Sequence, residues 1–514
     1  MQIFAFVLYF VVILAIGIYF FFRSKAGGEK EYFLGGRSMG PWVTAMSAQA
    51  SDMSGWLLMG FPGSVLAFGM GQTWIGIGLA LGTALNWIVV AKRLRRFSNA
   101  ANDSITLPQY LTNRFASSNP ILKIVCAVIF LISFTVYVAS AFSAGTSVFI
   151  AVLPQLHGRE GLAMVIFAIV ILIYTFLGGY KAVCWTDFFQ GLLMLVAILA
   201  VPIMMKATGT FDAQYTEAFK EGVSAFNTNP FTADWREVIS GLAWGMGYFG
   251  MPHIIVRFMS IKKSSMIKKA STVAIIWVVL TLGAAVLIAY YSRTFIFEDG
   301  TALSDQLLPG AQQNVFIKVV LDLFPAFIAG LLLAAIVAAS MSTADSQLLV
   351  ASSSFTSDIY KPIVRKGKAS DKEILWIGRI VVVIIAIIAF AIAYSGLNGE
   401  NKWAGSIMSM VENAWGLFGA AFGPVVILSL FWKRFNYSGA VAGIVAGALA
   451  DILWLVLFTD TVMTPVICDT GIYEILPGFV FGAIVSVVVT LCTKAPSQEV
   501  YDIYDRATDK SIDD

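Results

Sequence analysis

Apolar residues along the chain gather into runs of about 20, the length that crosses a hydrocarbon core of about 30 Å. Short polar or charged stretches separate them. The pattern predicts about 13 helical spans, centred on residues 4–22, 41–68, 73–91, 121–150, 161–177, 185–205, 238–259, 271–291, 326–352, 375–395, 404–430, 438–458 and 475–492. They are numbered first to thirteenth below. The first run ends in "FFRSK" without a small-residue cleavage site or a basic leader, so it is read as a span rather than a signal peptide.

Two spans break the apolar pattern. In the second, "ASDMSGWLLMG" sets Asp52 among Ser51, Ser54 and Gly55. A carboxylate at that depth costs at least ~2.5 kcal/mol. Glycine and serine weaken the helix there and offer the backbone other hydrogen bonds. The seventh span carries "GLAWGMGYFGMPH", with four glycines and Pro252. Unwound backbone is tolerated inside a bilayer only where it faces protein or water. The two breaks lie five spans apart, so each opens a five-span unit and the second unit is inverted in the membrane. Matching breaks in inverted halves point to a transporter's midplane site. A third polar feature lies in the ninth span, where Ala339, Ser342, Thr343 and Ser346 share one helical face beside Asp345. Hydroxyl and carbonyl oxygens are hard ligands suited to an alkali ion. Packing of small residues remains an alternative for that face.

Composition agrees. The chain is 514 residues long, 58% hydrophobic and 13% charged, about half the charged share of a soluble protein, with a mean hydropathy of +0.80. This is an all-α polytopic membrane protein surrounded by lipid. Cys126, Cys184, Cys468 and Cys492 have no metal-ligand spacing and read as packing residues, and two histidines, His157 and His253, make no histidine-rich site. Basic clusters ("KRLRR", "RFMSIKKSSMIKK", "KPIVRKGK" and "WKR") follow odd-numbered spans, whereas loops after even-numbered spans are acidic or neutral. That bias places the N-terminus outside and the C-terminus in the cytoplasm. The tail is charged and expected to be flexible. No nucleophile–base pair, metal motif or phosphate loop points to an enzyme. A channel would need no matching breaks, and no soluble domain in the tail supports a sensor.

The stretches "YFLGGRSMGPWVTAMSAQASDMSGWLLMG", "LAWGMGYFGMPHI", "YTFLGGYKAVCWTDFFQG" and "MSTADSQLLVASS" resemble the solute:sodium symporter family, and within it the bacterial proline carriers. The resemblance runs along nearly the whole chain and implies a LeuT-type 5+5 inverted repeat with flanking helices. On that reading, residues 1–40 are the first helix and a cytoplasmic loop, and 41–206 form the first repeat. An extracytoplasmic loop occupies 207–235 and the second repeat 236–430. Two further spans lie in 431–493, and 494–514 are the tail. The implied activity is sodium-coupled uptake of L-proline across the bacterial inner membrane. Another amino acid, pantothenate, a sugar or a carboxylate is the alternative solute. The implied sodium ligands are the carbonyls of Ala50, Met53 and Ala339 and the hydroxyls of Ser342 and Thr343, with Asp52 and Asp187 in ion coupling. The implied substrate residues are Tyr137, Trp244, Tyr248 and Pro252, the last three spaced four apart so as to share a helical face. Aromatic walls would enclose proline's ring and ammonium. Backbone N–H groups at Ser54, Gly55 and Trp56 are expected to take its carboxylate. Arg37 is expected to gate or pack at the cytoplasmic edge. Asp345 departs from some proline carriers, which hold a neutral residue there. No organic cofactor, nucleic acid or obligatory protein partner is implied.

Overall fold

The computed structural model describes residues 1–23, 28–177, 179–397, 399 and 401–509. The few expected loop and tail residues outside those ranges lie beyond the described residues. Each of the thirteen predicted segments is helical. Ten are helices long and apolar enough to cross a membrane by length and composition. The fifth, Glu160–Leu177, is apolar and 18 residues long. The other two are broken, the second into Pro41–Asp52 and Trp56–Phe68. The seventh runs Trp235–Ala243, then a 3-10 turn over Trp244–Phe249, then Pro252–Ser260. Pro41 and Pro252 each stand first in a half-helix, where no amide hydrogen is needed and the fixed φ suits the start. Beyond the helices, Thr210–Phe211 pairs antiparallel with Phe295–Ile296 to tie two loops together.

Burial sorts the bundle into layers. In the most apolar window of the ninth span, Ala326–Val364, 78% of positions are buried, and in the eleventh, Ile407–Phe431, 83%. The first, twelfth and thirteenth reach only 28%. The ninth and eleventh are therefore the innermost long helices, and the second and seventh pack against the ninth. Outer helices turn exposed apolar residues such as Ile380, Ile384, Ile387 and Ile388 outward. So continuous an apolar rim suits lipid rather than water.

Several loop expectations are corrected. The third span continues as a helix to Ala100, so "KRLRR" is helical and Arg95 is buried. Lysine and arginine are good helix formers, so a helix need not stop where its apolar run does. The ninth also extends, through a π-helical stretch over Ser354–Val364, and takes in part of "KPIVRKGK". Arg257 belongs to the buried half of the seventh span rather than to the basic loop that follows. Among the cysteines, Cys126 and Cys184 are buried, while Cys468 and Cys492 are exposed and so are not packing residues. The tail is not wholly flexible either: Gln498–Thr508 is a helix with Val500, Ile503 and Ala507 buried. Its Tyr504 hydroxyl receives a bond from Arg93 Nη2 at 3.3 Å, and its Asp505 pairs with Lys433 at 2.8 Å. The helical spacing of Val500, Ile503 and Ala507 carried that signal.

Candidate functional site

The second span unwinds over three residues. Met53 leaves the helical region (φ −88°, ψ 79°), and the Ser54 amide turns back to the Asp52 carbonyl at 3.1 Å. The Leu57 amide bonds the Ser54 carbonyl at 3.1 Å instead of reaching Met53. Carbonyls from Ala50 to Met53 thereby lose their helical amides. Side chains from three other helices meet them. The Ser342 hydroxyl donates to the Ala50 carbonyl at 2.8 Å, and His253 Nε2 donates to that of Ser51 at 3.1 Å. The Tyr137 hydroxyl donates to that of Asp52 at 3.3 Å.

The ninth span supplies the facing oxygens. Ser342 Oγ also lies 3.2 Å from the Ala339 carbonyl. Ala339, Ser342 and Thr343 are fully buried, and Thr343 Oγ1 and Ser340 Oγ have no hydrogen-bond partner. A buried hydroxyl without a partner loses roughly 1–3 kcal/mol of hydration, so two of them on the helix that meets the freed carbonyls mark a place where something polar belongs. Gly55 explains how close the elements come. A Cβ there would stand 2.6 Å from the Ala144 Cβ and 3.0 Å from Ser340 Oγ.

Asp52 faces the seventh span. Its Oδ2 accepts from the Tyr248 hydroxyl at 2.5 Å, while Oδ1 is buried and unpartnered. The two breaks are thus joined directly, carboxylate to phenol. Trp56 and Trp244 lie with ring centroids 6.1 Å apart, and Tyr137 meets His253 edge-on at 6.4 Å. Trp244, Tyr248 and Pro252 do not share one helical face, however. The 3-10 turn winds Trp244 and Tyr248 differently, and Met251 after it is extended, so Pro252 opens a new helix. The expected cradle of amides is also altered, because Ser54 N–H turns to Asp52 and Trp56 N–H to Ser54 Oγ at 3.4 Å.

Asp187 and Ser346 belong to a second cluster. Asp187 Oδ2 accepts from Ser47 Oγ at 2.7 Å and from Arg257 Nη2 at 3.2 Å. Arg257 also donates to Ser346 Oγ at 2.5 Å and to the His253 carbonyl at 2.6 Å. Asp187 is thus wholly buried and paired. Both oxygens of Asp345 are buried there without a partner. Sequence reasoning did not mark His253 and Arg257 as site residues. Their signal was polarity on the second half of the seventh span, in "PHIIVRF".

At the basic end of the bundle the halves are shut. Arg37 donates to Asp103 Oδ1 at 2.7 Å, the Met259 carbonyl at 2.5 Å and the Ser104 carbonyl at 2.9 Å. Met39 bridges Ile261 alongside, its carbonyl accepting from the Lys262 amide at 3.0 Å. Lys30 also pairs with Asp103. Burial opposes ionisation of Asp103, but its bond to Lys30 and the Arg37 charge outweigh this and hold its carboxyl below the usual carboxylate range.

Two interrupted helices joined at their breaks, set against a long buried helix, are the architecture of a secondary transporter. Residues 32–447 match the sequence profile of the sodium:solute symporter family. The chain belongs to that family, and it is a transporter rather than an enzyme. Sodium/proline symporter 2 of Staphylococcus saprophyticus subsp. saprophyticus is 43% identical over 500 residues, covering 96% of this chain and 93% of its own. The sodium/proline symporter of Staphylococcus aureus (strain JH9) is 43% identical over 493 residues, covering 95% and 92%. A solved sodium-coupled sialic acid symporter, outward-open with substrate bound, has a TM-score of 0.73 at 19% identity and covers 96% of this chain and 98% of its own. The crystal structure of MhsT in complex with L-phenylalanine gives a TM-score of 0.52 at 16% identity, covering 87% of this chain and 97% of its own. The fold is thus of the LeuT type.

Proposed function

We propose that the chain takes up L-proline across the bacterial cytoplasmic membrane, driven by sodium moving down its gradient. Its near relatives among sodium/proline symporters support the substrate. The observation that carries the coupling is the Ser342 hydroxyl on the Ala50 carbonyl at 2.8 Å, with the unpartnered Thr343 hydroxyl beside it. The sodium ligands are the carbonyls of Ala50, Met53 and Ala339 and the hydroxyls of Ser342 and Thr343, all oxygen as an alkali ion requires. Sodium there draws the second and ninth spans together. Trp56, Trp244, Tyr248, Tyr137 and Pro252 enclose the substrate around the breaks, with Gly55 giving it close approach to backbone and Ser54 a polar edge. Asp52 acts through Tyr248, holding the two breaks in one geometry. Asp187 acts through Arg257, tying the sixth span to the seventh. The basic end faces the cytoplasm, with the N-terminus outside, and residues 41–206 and 236–430 rock as two inverted units around the fixed site. Because each ligand favours the same arrangement, sodium raises proline affinity and proline raises sodium affinity by the same factor.

Uptake of radiolabelled proline into proteoliposomes tests this. An inward sodium gradient is expected to drive accumulation, and equal uptake without it overturns the coupling. Ser342→Ala and Thr343→Ala are each expected to raise the sodium concentration for half-maximal uptake about tenfold, the loss of about 1.4 kcal/mol. Unlabelled proline should compete in a panel where pantothenate, sugars and carboxylates do not.

A further inference from the structure

Away from the breaks, three carboxylates gather on the flanking helices. Asp451 lies inside the twelfth span, Glu474 stands at the start of the thirteenth, and Glu412 lies in the eleventh. Asp451 and Glu474 are each 1% exposed. No lysine or arginine forms an ion pair with any of the three among the described residues.

We infer that a small monovalent cation, a proton or a sodium ion, is held between Asp451 and Glu474 beside Gly416. The space exists because position 416 has no side chain. A Cβ there would stand 3.2 Å from Asp451 Oδ1, 3.4 Å from Glu474 Oε1 and 3.4 Å from the Tyr473 ring, so both oxygens border one gap. Asp451 Oδ1 is buried without a partner and is aimed into it. Glu474 Oε1 accepts one bond, from Asn413 Nδ2 at 2.7 Å. Trp403 Nε1 holds the other end of that amide at 2.7 Å, which fixes its N–H toward Glu474.

Physical chemistry then requires a positive partner. Two buried carboxylates beside a third, with one neutral amide as donor, do not all stay charged in a low-dielectric bundle. A neutralised carboxyl or a bound ion resolves this, and the start of the thirteenth helix favours keeping Glu474 as the anion. The titratable groups that face the gap are Asp451, Glu474 and Tyr473, and Glu412 is near enough for its charge and that of Glu474 to interact. Tyr473 donates to the Glu412 carbonyl at 2.7 Å, and its ring lies 5.1 Å from that of Trp244. Trp415, the residue before Gly416, donates to the Trp244 carbonyl at 2.8 Å. The cation therefore sits one side chain away from the seventh-span break.

The test uses thermal unfolding of the purified full chain across a pH series, in sodium chloride or choline chloride. This readout needs no transported solute, so its failure is separable from failure of the proline reading. For a proton, the unfolding temperature in choline should depend on pH, and Asp451→Asn and Glu474→Gln should abolish that dependence or move its midpoint by about one unit. For sodium, a Ser342→Ala background should keep a sodium-dependent rise that Asp451→Asn removes. Should the carboxylate variants fail to fold, Gly416→Ala decides: its Cβ enters the gap with both acids intact. It should move the pH midpoint equally or raise the half-effective sodium concentration at least tenfold. Responses matching wild type in the folded variants overturn the inference.

Discussion

At the scale of single residues, Arg257 carries more of the interior than any other charge in the seventh span. It reaches Asp187, Ser47, Ser346 and the His253 carbonyl. Removing one member of a buried ion pair costs about 3–5 kcal/mol, because the other is left charged and alone. Arg257→Met is therefore expected to lower the unfolding temperature sharply, and Arg257→Met with Asp187→Leu to recover much of it. Equal stability of the single and double variants would show that the pairing contributes little. Asp187 was legible in the sequence as a carboxylate of consequence, but its partner was not. Pairing across 70 positions is a property of packing, and a lone arginine at the end of an apolar run reads as a loop charge. Asp52 tells the same story. Its presence announced the break, yet nothing in the sequence aimed it at the Tyr248 hydroxyl.

At the scale of elements, the break in the second span was legible because it is local. Gly55, Ser54 and a costly carboxylate, all within one turn's length of chain, oppose the helix on propensity alone. The seventh-span break was legible too, though its winding was not. Four-residue spacing implies one face only while the helix stays α, and Trp244–Phe249 is a 3-10 turn. Gly55 tests how tightly the break is built. Gly55→Ala would bring a methyl within 2.6 Å of the Ala144 Cβ, where backbone on both sides has little room to give. Overpacking of this kind costs about 1–3 kcal/mol. The expected result is a lower unfolding temperature together with weakened sodium dependence of uptake, read in the same proteoliposome assay. Unchanged values in both would mean the fourth span yields easily.

At the scale of the whole molecule, positive charge at one end was visible, but its use as a latch was not. Arg37 and Lys30 converge on Asp103 from a segment far away in sequence. Because Asp103 has a depressed carboxyl, its contribution to closure is complete above the ordinary carboxylate range and is lost as pH falls through its lowered value. Closure should thus survive mild acid and fail only below the range where free aspartates protonate. Hydrogen exchange of residues 98–104 against pH measures this, with Asp103→Asn expected to exchange fast at every pH. An identical profile in that variant would remove Asp103 from the latch.

The docked tail helix gives that end of the molecule a further property. Gln498–Thr508 touches the third span through Arg93 and the turn after the eleventh through Lys433. Arg93 itself bonds the Leu430 carbonyl at 2.7 Å. The helix is therefore a clasp across parts of the bundle that lie more than 300 residues apart in the chain. A fluorescent protein or affinity handle fused just beyond residue 508 is attached to that clasp, and its bulk or pull becomes a mechanical load on the protein it was meant only to report.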